Sequence, residues 1–448
     1  MMKKFVMVVS GLLSMLSCSP EFLEVKPDRK LVVPTTVKDL QALLDKSDLM
    51  NQYLPSLGQL STDDHHFNDT DWRNSADFIR KNAYSWQRDI FEGSISIDWN
   101  YSYQQVFYAN LVLEGLDQMI ENSTLATKTL RGSAHFYRAH AFYNIAQIFC
   151  APYNTTSSNS GLGIPLRLSS DINKKSIRAT IADTYEQIVD DLLRARDLLP
   201  EENLLKTRPD KGAAEALLAR TYLLMQNYEQ ALLYAEKVIS RYSLINYSDL
   251  DVSADYPMGI YNDEVIFHAT MWSYMFPASS DKVNMDLYNS YATNDLRKKI
   301  WYVEETDGIS YKGSYGGDFY MFCGLALDEM YLVKSESLVR LDRVAEGVLL
   351  FNKYLQTRFK DNEYSPIDVG TPEVVLDDIL QERRKALAFR GVRWSDLRRL
   401  NLDPQTQTTL RRTIDGVNIE LHPNSRNYVL PIPDVVLELT GMSQNSRD

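Results

Sequence analysis

The strongest constraint on this chain is a recurring spacing of small and aromatic residues that only paired helices satisfy. Over 211–225 and 228–241 the apolar positions follow a helical period and mark two helices joined by a turn. Ala219 and Ala231 let the two helices approach, and Tyr222 and Tyr228 fill the groove beside them. Leu332 and Ala345 stand as far apart as Leu218 and Ala231, so Met330 to Tyr354 reads as a second copy. Glu336 replaces the aromatic there, which makes that copy degenerate. One such pair cannot bury its own faces, so the pairs must stack.

These are the positions that a tetratricopeptide unit gives to small and aromatic packing residues. Further helices are predicted over 37–49, 99–121, 130–149 and 181–199, and the pair at 99–121 and 130–149 reads likewise. Another is predicted over 371–390, with Thr371 as cap, Pro372 at the first position and Gly391 as the stop. Between 243 and 325 the periodicity fades, and Gly, Asp, Asn, Tyr, Trp and Met dominate. Residues 56–97 have the same character, and long irregular segments in ordered proteins commonly carry function.

The N-terminus reads as an address. Lys3 and Lys4 precede a 12-residue apolar stretch, Phe5 to Leu16, too short to cross a ~30 Å hydrocarbon core. Met15-Leu16-Ser17-Cys18 resembles a bacterial lipobox, which makes Cys18 the expected lipid attachment point. Pro20, Pro27 and Pro34 among charges then suggest an extended tether. A formal charge of −12 argues against nucleic acid as a partner. Three cysteines cannot build a disulfide framework, and Cys150 and Cys323 are left as two thiols or one bridge.

Acids and arginines interleave with aromatics from Glu382 to Arg399. A buried ion network is the favoured reading, with arginines meeting carboxylates nearby in sequence and stacking on Trp394; an anion-binding patch is the functional alternative. This run, E-R-R-x-x-L-A-F-x-G-x-R-W-x-D-L-R-R, resembles the most recognisable stretch of the SusD/RagB family of outer-membrane nutrient-binding lipoproteins of Bacteroidetes. Leu430-Pro431-Ile432-Pro433, Phe22 to Pro27, Thr62-Asp63-Asp64, Arg131 to Phe149, Ile181 to Pro200 and Lys211 to Ala214 are similar to further family stretches, in order along the chain.

The resemblance implies a mainly α fold: a tetratricopeptide-like helix-pair scaffold with an inserted irregular, loop-rich ligand-binding subdomain. It implies a cell-surface lipoprotein on the outer membrane that captures oligosaccharides, or in some members peptides. It also implies hinge-like delivery to a TonB-dependent, SusC-like transporter, with no cofactor and no chemistry. The expected organisation is a signal peptide (1–17), a lipid anchor and tether (18–36), and an N-terminal helix with an irregular ligand-face segment (37–98). A repeat scaffold (99–242), an irregular insertion (243–326) and a last repeat with the signature segment (327–448) follow.

Sugar rings pack C–H groups on aromatic faces and need polar partners at the rim. Trp72, Trp272, Tyr274, Phe276, Tyr315 and Tyr320 lie in the irregular segments and are the expected ligand contacts, with Asp64 from the polar stretch 63–72. Trp86, Trp99, Trp301 and Trp394 read as packing residues. His65 and His66 match neither a zinc site nor a calcium loop, so no metal is expected. A glycoside hydrolase is the competing class: sixty acids ensure some suitable carboxylate pairs by chance, but no nucleophile elbow or phosphate loop is present.

Overall fold

The computed structural model describes residues 34, 36–120, 123–271 and 281–448. The expected lipid site Cys18 and the aromatics Trp272, Tyr274 and Phe276 lie outside the described residues. Eight helices form the scaffold: α1 (Val37–Leu44), α2 (Ile97–Asp117), α3 (Leu125–Phe149), α4 (Ile181–Leu198), α5 (Lys211–Leu224), α6 (Tyr228–Ile239), α7 (Leu327–Arg340) and α8 (Val344–Gln356). Each packs on the one before it, so the array grows by nearest neighbours as stacked hairpins do. Side chains cap the starts locally: Thr180 and Asp183 form a capping box at α4, and Asp210 accepts from the Ala213 N–H at α5.

Ala219 and Ala231 are fully buried where α5 meets α6. Tyr222 stacks on Tyr234 beside them, with centroids 5.7 Å apart and planes 7° from parallel. The helices α3, α5 and α7 are buried on nearly every side. That is why their sequences lack a clean polar face. Trp86, Trp99, Trp301 and Trp394 are all in the core. No helix among the described residues is long and apolar enough to cross a membrane.

Among the described residues sheet is scarce and all of it two-stranded. Strand β1 (His65–Phe67) pairs antiparallel with β2 (Asp281–Val283) and so ties the two irregular segments together. Strands β3 (Tyr302–Glu305) and β4 (Gly308–Tyr311) form a hairpin, as do β5 (Leu410–Ile414) and β6 (Val417–Leu421). Val265–Phe267 pairs with Leu325–Ala326 and closes the base of the insertion against the start of α7.

The expected helix over 371–390 ends early. Helix α9 spans Pro372–Ala386, and α10 spans Arg393–Leu400. Between them Phe389 (φ 59°) and Gly391 (φ 73°) take left-handed backbone, which no α-helix continues. The break releases Arg390 from the helix axis and turns it toward α7.

A lattice of buried ion pairs surrounds α7. Its Asp328, Glu329 and Glu336 are fully buried. Arg390 Nη1 donates to both oxygens of Asp328 (2.8 and 2.7 Å). Arg220 of α5 holds Glu329 at 2.9 and 2.5 Å. Arg399 of α10 pairs bidentately with Glu336 (2.6 and 2.8 Å), and Asp396 bridges Arg399 to Arg383 (2.8 Å each). The signature is therefore an ion network, but its main carboxylates stand on a different helix rather than nearby in sequence. Trp394 lies tilted against Tyr428, with ring centroids 4.8 Å apart. Cys150 and Cys323 are both free and buried, which removes the bridge alternative.

Two predictions follow from this lattice. Burial alone would raise the Glu329 and Glu336 carboxyls, but Arg220 and Arg399 respectively outweigh it and hold each at about 2. A depressed carboxylate stabilises the fold above its unfolded value and loses that contribution as pH falls through the folded one. Melting temperature should thus hold above about pH 4.5 and fall steeply toward pH 2, which calorimetry across that window checks. Arg399→Met leaves the buried Glu336 with Arg340 alone and should lower the unfolding free energy by about 2–4 kcal/mol in urea titrations, with Glu336→Leu added to it recovering part of the loss.

Candidate functional site

Two loops of the insertion, 250–263 and 312–322, pack on each other and present several large side chains outward. Tyr256, Ile260, Tyr261, Phe319 and Tyr320 are each 40–49% exposed. Such a concentration of exposed rings marks a contact surface. The loops touch at backbone level: a Cβ at Gly317 (φ 70°) would lie 2.3 Å from the Ile260 nitrogen, so only glycine fits. A Cβ at Gly313 would lie 3.7 Å from the Tyr256 ring, and Lys312 Nζ donates to the Ala254 carbonyl (3.0 Å).

Phe319 and Tyr320 stack at 4.5 Å and 26°. Asp318 accepts from the Tyr320 N–H (2.8 Å), which fixes the turn that aims them. Tyr261 sits in left-handed backbone (φ 58°), an uncommon state for a bulky residue. Its ring meets His268 edge-on at 4.9 Å, and His268 meets Phe322 at 5.7 Å. Burial drives His268 down to about 4, so it packs as a neutral ring.

The inner half of loop 312–322 rests on the ion lattice. Tyr315 is fully buried, donates its hydroxyl proton to Glu264 and meets the Tyr247 hydroxyl at 3.1 Å. Arg358 Nη2 also donates to both oxygens of Glu264 (2.7 and 2.8 Å). The Arg390 guanidinium lies 4.8 Å from the Tyr315 ring and 5.1 Å from that of Phe322. Phe319 and Tyr320 thus project from a loop whose other rings are clamped below.

Of the expected contacts, Tyr320 stands on this platform. Trp72 does not: it is half-buried on the short helix Asp69–Asn74, edge-on to Phe67 (5.8 Å) and tilted on Tyr84 (5.6 Å), with Lys81 Nζ 5.3 Å from its ring. The two regions flank the ends of segment 272–280: the Met271 N–H donates to Met321 O (2.9 Å), and Asp281 pairs with Phe67. Two expectations are corrected. Tyr315 is a core residue for the reason just given. Asp64 is also fully buried and accepts from Gln59 Nε2 (2.9 Å), so the polar run 63–72 hides one acid that composition alone would place in solvent. Among the described residues no group of three or more His, Cys, Asp or Glu is placed to hold a metal.

Sequence reasoning missed Tyr256, Ile260, Tyr261 and Phe319. The available signal was Asp255-Tyr256-Pro257-Met258-Gly259-Ile260-Tyr261, aromatics set among turn-forming residues.

Stacked helix pairs that carry a loop-built, ring-lined face define a repeat-scaffold protein with a contact surface at one side. Residues 21–223 match a family model described as starch-binding and associating with the outer membrane, and residues 325–446 match the model of the SusD family. Together they span well over half of the chain, which belongs to the SusD family. It is similar to SusD-like protein P2 of Formosa agariphila, at 22% identity over 79% of this chain and 80% of that one. Its fold matches a SusD superfamily protein of Bacteroides thetaiotaomicron (TM-score 0.74, 21% identity, 92% of this chain and 100% of that one). It also matches a SusD superfamily protein of Bacteroides vulgatus (0.76, 20%, 92% and 98%) and a SusD-like carbohydrate binding protein of the same species (0.70, 16%, 90% and 96%).

The inward and outward rings of loop 312–322 should respond oppositely to truncation. Tyr315→Ala should cost about 3–5 kcal/mol of stability, as large core aromatics do, while Tyr320→Ala should leave the melting temperature within a degree or two. Thermal denaturation of both variants checks this.

Proposed function

We propose that this protein is an outer-membrane lipoprotein, acylated at Cys18, that captures oligosaccharides and hands them intact to a TonB-dependent, SusC-like transporter. The observation that carries the reading is the exposed ring platform of Tyr256, Tyr261, Phe319 and Tyr320. Sugar rings present flat C–H faces that pack on phenol and phenyl faces, and shallow stacking releases its cargo readily. The family description as starch-binding and outer-membrane-associated supports both the ligand class and the location. The carbohydrate binding named for one Bacteroides vulgatus relative supports the ligand class as well. An open platform of this shape suits binding rather than hydrolysis, which needs two carboxylates closed around one bond. Trp72, with its polar neighbours, flanks the same irregular face and is proposed as a secondary contact.

A panel of neutral oligosaccharides titrated by calorimetry tests the reading. Tyr320→Ala should weaken the best ligand at least about tenfold, some 1.4 kcal/mol, without unfolding. Cleavage of any panel member, or binding of peptides alone, would overturn it. Cys18→Ala should move the protein from the membrane fraction to the soluble one, as read by fractionation and labelled fatty-acid incorporation.

A further inference from the structure

Of the six signature arginines, Arg383, Arg390 and Arg399 meet buried carboxylates and Arg398 meets backbone carbonyls, but Arg384 and Arg393 share a single acid. A cleft of about 550 Å³ opens between α9 and residues 400–408, with Asp63, Arg384 and Arg393 among its lining residues. Arg393 grips Asp63 through Nε (2.9 Å) and Nη2 (3.0 Å). Arg384 reaches the same carboxylate and the Asp63 carbonyl with Nη2 alone (3.0 Å each). Arg384 Nε is buried with no hydrogen-bond partner among the described residues and stands 3.9 Å from Asp64 Oδ1, beyond hydrogen-bond reach. Burial and the adjacent Asp63 push the Asp64 carboxyl up. Within hydrogen-bond reach, the floor of the cleft thus sets two guanidiniums against one carboxylate.

The rest of the cleft has a direction. Glu373, Asp377, Gln381 and Arg384 fall on one stripe of α9, and all four line the cleft. Along this stripe the surface changes from acidic to amide to basic over about 16 Å, at 1.5 Å per residue. Gln381 Nε2 donates to Asp377 Oδ2 (2.6 Å). Leu376, Leu380 and Leu400 supply apolar wall, and Gln405 and Thr408 supply hydrogen-bonding groups.

We propose that this cleft binds a small organic carboxylate on Arg384 and Arg393, with hydroxyls or an ammonium at its far end facing Asp377 and Glu373. Guanidinium groups receive carboxylates in a planar, bidentate fit, and the volume suits one small molecule. The net charge of −12 repels polyanions, whereas a single carboxylate needs only the local excess. None of the lining residues belongs to the ring platform, so the site stands or falls separately from oligosaccharide capture. A sugar acid and a peptide C-terminus share this chemistry.

Calorimetric titration of the purified chain with glucuronate against glucose, and with trialanine against its C-terminal amide, distinguishes the sources. At least one acid should bind, with its neutral counterpart at least tenfold weaker. Arg384→Gln should erase that difference at an unchanged melting temperature. If Arg384→Gln does not fold, Leu380→Trp, which fills the cleft from its apolar wall and leaves the ion pairs intact, should abolish acid binding. Equal affinity for acid and neutral members, no binding of either acid up to about 10 mM, or indifference to these substitutions would overturn the proposal.

Discussion

The fold is organised around carboxylates that have been taken out of water and must be neutralised where they lie. Asp328, Glu329 and Glu336 sit on a helix enclosed on nearly every side, and each depends on an arginine supplied by another element. An unpaired charge at such depth costs several kcal/mol, so α7 is tolerable only when α5, the turn after α9, and α10 are all in place. Apolar packing sets the shape of the helix stack, whereas these pairs set its register. A shifted helix would still bury leucines, but it would leave guanidiniums facing no partner.

The lattice also explains how a repeat scaffold supports an irregular surface. Loops lacking helical or sheet ladders need other partners for their polar groups. Here Glu264 receives Arg358, the Tyr315 hydroxyl and the Ile245 N–H together. Arg390 serves Asp328 while lying beside two loop rings. The C-terminal signature and the contact loops, far apart in sequence, are thus one mechanical unit.

The helix pairs were legible because their periodicity is local: the helices at 181–199, 211–225 and 228–241 each fall within two residues of their observed ends. The break at Phe389 was not, since left-handed backbone at a phenylalanine is imposed by tertiary contacts rather than by propensity. Asp64 and Tyr315 show the same limit from the other side. Both read as surface residues from their polar and glycine-rich neighbours, yet each is buried against groups remote in sequence: the Phe389 N–H lies 3.5 Å from Asp64 Oδ2, and the Tyr315 hydroxyl donates to Glu264. Glu336 is the instructive case: its departure from the repeat pattern looked like decay and is instead the anchor for Arg399 and Arg340. Asp396, close by in sequence, does meet Arg383 and Arg399 as expected, whereas the partners on α7 were not legible, because pattern reading sees neighbours along the chain and not across helices.

Loop 312–322 divides its residues between two fates, Tyr315 and Phe322 turned under and Phe319 and Tyr320 turned out. Substitutions at the outer pair alter exposed surface, whereas those at the inner pair alter the core. The chemistry of the exposed tips can therefore vary without rebuilding the framework that displays them.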